Sequence, residues 1–125
     1  MGALEDAKAH LAKAKEFLAA AQAGVTGEWY SAAASSAVLS GINSKDAICL
    51  KVNGQTNKTE DHKMAVAELR KAGPVAAKLA QDLDRLLAVK KKAQYQTNSV
   101  TRSDAIKAVE RAARLYDAAA SIVTG

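Results

Sequence analysis

The residues best suited to chemistry are cationic and cluster late in the chain. Lys90, Lys91 and Lys92 are consecutive, Tyr95 comes three residues later, and Arg102, Lys107, Arg111 and Arg114 follow. Lysine and arginine neutralise phosphate oxygens, and a tyrosine ring among them can stack on a base, so the set suits a nucleotide or RNA. Each residue also has a plain structural reading. Cations at a helix C-terminus offset the helix dipole by about 0.3–1 kcal/mol apiece, and a loop tyrosine anchors its loop by packing. Arg114 lies one turn after Glu110, which makes an ordinary surface ion pair. Three lysines in a row exceed what capping requires, and Arg102 opens a helix, where the dipole disfavours a cation.

Acid–base candidates are few. His62 follows Asp61 in the first turn of a helix, with no second ligand or nucleophile nearby in sequence, so it reads either as a surface histidine or as a polar-site residue. His10 sits beside an apolar seam and reads as structural. Asp46 ends an apolar, serine-rich stretch and is expected to be partly buried and paired, with a Lys or Arg of the last helix as its partner, because an unpaired buried carboxylate is costly. The single cysteine, Cys49, excludes an internal disulfide and a multi-cysteine zinc site, and it reads as a small core residue. No Ser-His-Asp, His-Glu-x-x-His or P-loop pattern occurs. No catalytic residue, metal ligand or cofactor is therefore expected.

The charge is localised. Residues 85–114 hold eight Lys or Arg against Asp104 and Glu110, a net of +6, while residues 1–57 carry five charges of each sign. The remaining residues sum to −1, giving the overall +5. A concentrated excess points to an anionic partner more than a scattered one does.

Helices must position these residues. Leu4, Ala7, Leu11, Ala14, Leu18 and Ala21 recur at spacings of three and four, predicting a first helix over about 4–23, with Gly24 and Gly27 ending it. A second helix, about 28–52, presents Ala33, Ala37, Gly41, Ser44 and Ile48 on one small-residue face, its serines bonding the carbonyl four residues back. After a polar loop, Thr59 is expected to cap a short helix over about 60–71, with Ala65, Leu69 and Ala72 inward. Pro74 opens a fourth helix with Val75, Leu79, Leu83 and Leu86 as its stripe, ending at the lysines, so that residues 90–100 form a polar connection. Thr101 caps the last helix, whose expected core stripe is Ile106, Val109, Ala113, Tyr116, Ala120 and Val123.

The result is an all-α, up-and-down bundle of about five helices in one domain spanning 1–125. Twenty-nine alanines and 4% aromatics argue against a β-sandwich, and 49% hydrophobic residues argue against disorder. The apolar runs are too short for a membrane span, and charges every few residues at the start argue against a signal peptide, so a soluble cytoplasmic protein is expected. The small apolar area per helix makes a homodimer the expected state.

The order of segments resembles the HEPN domain family, small helical bundles of bacteria and archaea named for presumed nucleotide binding. The resemblance rests on Phe17-Leu-Ala-Ala-Ala21 closing the first helix and on Trp29-Tyr30 opening a second that leads to Asp46-Ala47. Asp61-His62 after the polar loop, Lys92-Ala93-Gln94-Tyr95, and the alanine-rich last helix complete it. Many members of that family are ribonucleases, often toxins paired with a nucleotidyltransferase, marked by an Arg, then four to six intervening residues, then a His, near the junction before the last helix. No histidine lies between Lys90 and Thr101 here, so those catalytic residues do not carry over. The resemblance implies a non-catalytic module binding a nucleotide or RNA through residues 85–114. Two alternatives stand beside it: an interaction or toxin–antitoxin component pairing with itself or a nucleotidyltransferase, and an atypical ribonuclease using His62.

Overall fold

The computed structural model describes residues 2–95, 97 and 100–125, with Tyr95 described by its backbone alone. It contains five helices, α1 (Ala3–Thr26), α2 (Tyr30–Asn53), α3 (His62–Arg70), α4 (Pro74–Tyr95) and α5 (Arg102–Thr124), and no strand among the described residues. The architecture is the expected all-α bundle. None of these helices is long and apolar enough to cross a membrane.

Small residues let α1 and α2 lie antiparallel and very close. Ala7, Ala14, Leu18 and Ala21 are buried as their spacing predicts, whereas Leu4 is exposed and Leu11 half-buried. The expected α2 face of Ala33, Ala37, Gly41, Ser44 and Ile48 is buried as well, but it does not all meet α1: Gly41 lies against Leu86 of α4 and Leu115 of α5, while Ser40 and Ala47 pack toward α1. A Cβ added at Gly24 would fall 2.9 Å from Ala33 Cβ and 3.0 Å from its Cα. The same closeness overrides the expected serine bonding. Ser40 Oγ donates across the interface to the carbonyl of Ala14 at 2.8 Å instead of to its own helix, and Ser44 Oγ is buried with no partner.

The cap of α3 also differs from expectation. Asp61 accepts the Met64 N–H at 3.1 Å, while Thr59 Oγ1 accepts the N–H of Asp61 at 3.0 Å and shapes the turn before the cap. A carboxylate at the cap complements the helix dipole as well as the free N–H. Gly73, at φ +110°, makes the left-handed turn into Pro74.

Two stripes differ in part from the expected ones. On α4 Leu83 and Leu86 are buried as expected, but in the first half of the helix Ala76 and Ala80 take the inward positions, leaving Val75 58% exposed and Leu79 half-buried. On α5 the buried residues are Ala105, Ala108, Ala112, Leu115, Ala119 and Val123. The expected Ile106, Val109, Ala113, Tyr116 and Ala120 are half-buried on the flank, and of the expected stripe only Val123 is buried. Interaxial distance follows the size of the side chains at the contact, so alanines take the seam and larger residues its edge. Thr101 caps α5 as expected, accepting the Asp104 N–H at 3.1 Å.

All five helices contribute to one core whose largest members are Ile48, Leu69, Leu83, Leu86 and Leu115. Gly41 makes room for it, since a Cβ there would fall 2.6 Å from Leu86 Cδ1. With only nine residues, α3 covers a fraction of the face formed by the 24-residue α2 and the 22-residue α4. The site lies where that cover stops.

Candidate functional site

The base of the site is a buried ionic network. Lys45 and Asp46 are 2% and 4% exposed. Lys45 Nζ donates to Asp46 Oδ1 at 3.1 Å, Thr56 Oγ1 at 3.0 Å and the Asn57 carbonyl at 2.9 Å, and it pairs with the Glu68 carboxylate. Thr56 Oγ1 in turn donates to Asp46 Oδ1 at 2.5 Å. The Asn57 N–H donates to both Glu68 oxygens at 3.0 Å. The polar loop after α2 is thereby strapped to α2 and α3. The partner of Asp46 is its own neighbour and not a cation of the last helix, because α5 packs on the opposite, alanine-lined side of α2. Burial pulls the Lys45 ammonium pKa down, but Glu68 and Asp46 outweigh it and raise the value. Burial likewise pushes the Glu68 carboxyl up, yet the bonds from Lys45 and the Asn57 N–H bring it below the usual range.

Above this base lies a cavity of about 250 Å³. Ile42, Ala65, Leu83 and Leu87 form its apolar wall, and its charged groups are of both signs, Lys45, Lys58, His62 and Lys90 with Asp46, Glu60 and Asp61. His62 Nε2 lies 2.6 Å from Asp84 Oδ1. A carboxylate can only accept, so that nitrogen carries a proton and Asp84 orients the ring.

The three consecutive lysines have three environments. The helix continues to Tyr95, so they lie inside α4 and not at its end. Lys90 follows Leu83 by seven residues and Leu86 by four, which places it on the core face; it is the next member of the apolar stripe, not a residue beyond it. It is half-buried and lines the cavity. Lys91 is exposed. Lys92 Nζ donates to Asp104 Oδ2 at 2.9 Å, joining α4 to α5, and this bond holds the Asp104 carboxyl below its usual range.

Tyr95 is the last helical residue and not a loop residue; its side chain lies outside the described residues. Arg102 and Lys107 are exposed and border a shallow hollow with Ile106, and Arg111 is half-buried. Arg114 makes a bidentate pair with Asp82, at 2.8 and 3.1 Å, and not the expected pair with Glu110. His10 Nδ1 lies 2.8 Å from Asn43 Oδ1, consistent with a structural role.

The cavity thus unites Asp46, His62 and Lys90 from three separate segments, and leaves Lys91, Arg102, Lys107 and Arg111 outside. Sequence reasoning missed Lys45, Glu68 and Lys58. The readable signal for Lys45 was two adjacent opposite charges inside an otherwise uncharged helical stretch; Lys58, in a polar loop, carried none. Among the described residues no three His, Cys, Asp or Glu side chains gather as metal ligands. Chemically, Lys58 and Lys90 can attract an anion on their side of the cavity, Asp46, Glu60 and Asp61 can accept hydrogen bonds from a ligand's N–H or O–H groups, and the apolar wall can take a flat ring.

A family model described as HEPN domain matches residues 7–122, nearly the whole chain. No curated protein matches the sequence.

Proposed function

The chain belongs to the HEPN domain family, and on that footing we propose that it is a non-catalytic module binding a nucleotide or a segment of RNA, with the α2–α3–α4 cavity as its principal contact. The observation that carries this reading is Lys90, a cation of the basic segment, on the inward face of α4 beside Lys58, His62 and an apolar wall. Nothing in the packing of α4 requires an ammonium there. At about 250 Å³ the cavity falls just under the roughly 300–1,000 Å³ of drug-sized ligand sites. It takes one base or one phosphate, with Lys91, Arg102, Lys107 and Arg111 as further phosphate contacts outside it. The absence of the Arg-x4-6-His pattern from the sequence favours binding over strand cleavage, and so argues against the atypical ribonuclease.

The test is fluorescence anisotropy with labelled RNA and competing mononucleotides. Lys90→Ala is expected to weaken binding and to lower the salt slope by roughly one unit, the signature of a lost phosphate contact. Unchanged affinity in that variant would remove the cavity from the binding site. Cleavage that is present in the wild type and abolished by His62→Ala would replace binding with catalysis.

A second reading rests on the half-buried apolar flank of α5, where Ile106, Val109, Ala113, Tyr116 and Ala120 lie in register. This flank supports pairing with a second copy or with a nucleotidyltransferase partner. A dimeric mass by light scattering that Tyr116→Glu converts to monomer would establish it; a monomer in the wild type at micromolar concentration would dismiss self-pairing.

A further inference from the structure

The turn between α1 and α2 carries the only tryptophan of the chain. Trp29 is 71% exposed, whereas a side chain of this size is mostly buried on average. Its backbone is held firmly. The Trp29 N–H donates to the Gly24 carbonyl at 2.8 Å and the Glu28 N–H to that of Val25 at 3.1 Å. Glu28 adopts φ +63°, a left-handed conformation that a non-glycine residue keeps only where its surroundings enforce it. Gly27 backs the indole, since a Cβ built there would lie 3.6 Å from ring atoms Cδ2 and Cε3. The backbone that carries the ring is therefore held, and the ring lies beside Gly27 with most of its surface open.

The surroundings link this ring to the basic segment. A hollow beside it is bounded by Trp29, Tyr30, Ser31 and Val100. The Val100 N–H donates to Ser31 Oγ at 3.3 Å, and Val89 and Ala93 of α4 pack in one cluster with Tyr30 and Val100. The α1–α2 turn and the α4–α5 junction therefore meet at the same end of the bundle. The exposed cations Lys91 and Arg102 belong to that end, Arg102 only two residues after Val100.

We propose that Trp29 is a stacking platform for a base of single-stranded RNA whose phosphates cross the Lys91–Arg102 end of the bundle. An aromatic face for bases with cations along the backbone path is how single strands are held without sequence readout. Glu28, the one carboxylate bordering the hollow among the described residues, disfavours phosphate over the α1–α2 turn itself and directs the backbone to the Val100–Arg102 side. The inference rests on the RNA-binding reading and adds to it where an unstacked base goes.

The experiment titrates the protein with fluorescein-labelled oligoadenylate at low salt, following label anisotropy and intrinsic tryptophan emission in parallel. Because Trp29 is the only tryptophan, its emission reports on this site alone. Quenching in step with the anisotropy rise is expected. Trp29→Ala should bind roughly 5- to 150-fold more weakly, the loss of one stacked base, while Trp29→Phe keeps most of the affinity. Both variants should retain the helical circular dichroism of the parent. A rise in anisotropy without quenching, unaffected by Trp29→Ala, would overturn the platform and leave RNA binding intact. No rise at all would overturn both. Emission that shifts with protein concentration alone, together with a dimer that Trp29→Ala dissociates, would make Trp29 a protein contact and likewise overturn the proposal.

Discussion

Replacing Lys92 by alanine removes the partner of Asp104, whereas replacing Lys90 removes a cation with no structural duty in α4. The two variants should separate stability from binding. Lys92→Ala is expected to lose about 0.2–1 kcal/mol, the worth of a partly exposed ion pair, with RNA affinity unchanged; Lys90→Ala should melt like the parent and bind less. Thermal melts and anisotropy on both variants check this. The Lys92 effect should also depend on pH. The folded carboxyl of Asp104 lies below its ordinary value of 3.8, chiefly through the Lys92 bond. Its contribution is complete above that ordinary value and is lost as pH falls through the depressed one, so the difference between Lys92→Ala and the parent should vanish in acid. A larger residue-level effect belongs to Lys45. Lys45→Met leaves the buried Asp46 and the half-buried Glu68 without their cation and should lose about 3 kcal/mol in urea denaturation. Converting Asp46 and Glu68 to apolar residues alongside it should recover much of that loss.

At the scale of the helix, two serines one turn apart on α2 should behave oppositely. Ser40→Ala breaks a buried bond to α1 and is expected to lose about 1 kcal/mol, while Ser44→Ala removes a hydroxyl with no partner and should be neutral or stabilising. Melting temperatures of the two variants make the comparison. Gly24→Ala should be worse than Gly41→Ala. At Gly24 the new methyl meets the backbone of Ala33, but at Gly41 it meets the movable end of Leu86. Most buried positions of α1 and α2 were legible because tight packing demands small residues at regular spacing, but which neighbour each α2 residue meets was not, since Gly41 turns to Leu86 and Leu115 while Ser40 meets α1. The faces of α4 and α5 were less legible. Alanines continue around both helices, and periodicity alone offered Val75 or Ile106 as readily as Ala76 or Ala105. What settles the choice is how near the neighbouring helix lies, a property of the assembled bundle.

Across the whole molecule, the +6 segment divides. Lys92 and Arg114 are held by Asp104 and Asp82, and Lys90 faces the cavity. If RNA binds through Lys90 and the cations outside these two pairs, the logarithm of affinity should fall linearly with that of salt, with a slope that leaves out Lys92 and Arg114. A slope demanding all eight Lys and Arg of 85–114 would contradict these pairings. The clustering of cations was legible in the sequence, as were two polar members of the site, Asp46 and His62. Their convergence was not. It depends on α3 stopping after nine residues and on a loop strapped down by Lys45, Thr56 and Glu68, contacts between positions far apart in the chain.

Cys49 lies in this same packed region, fully buried, its Sγ 3.9 Å from the Glu68 carbonyl and its thiol pushed up to about 11 by burial. Alkylating reagents attack the thiolate, so the native protein should be almost inert to them near neutral pH. As the only sulfhydryl in the chain, it then serves as a clock. Its labelling rate measures how often α3 lifts from α2, and thus whether this layer opens alone or only when the bundle unfolds. Labelling that tracks global stability across a urea series would make α3 part of the cooperative unit, while labelling indifferent to urea would mark it as the piece that opens first.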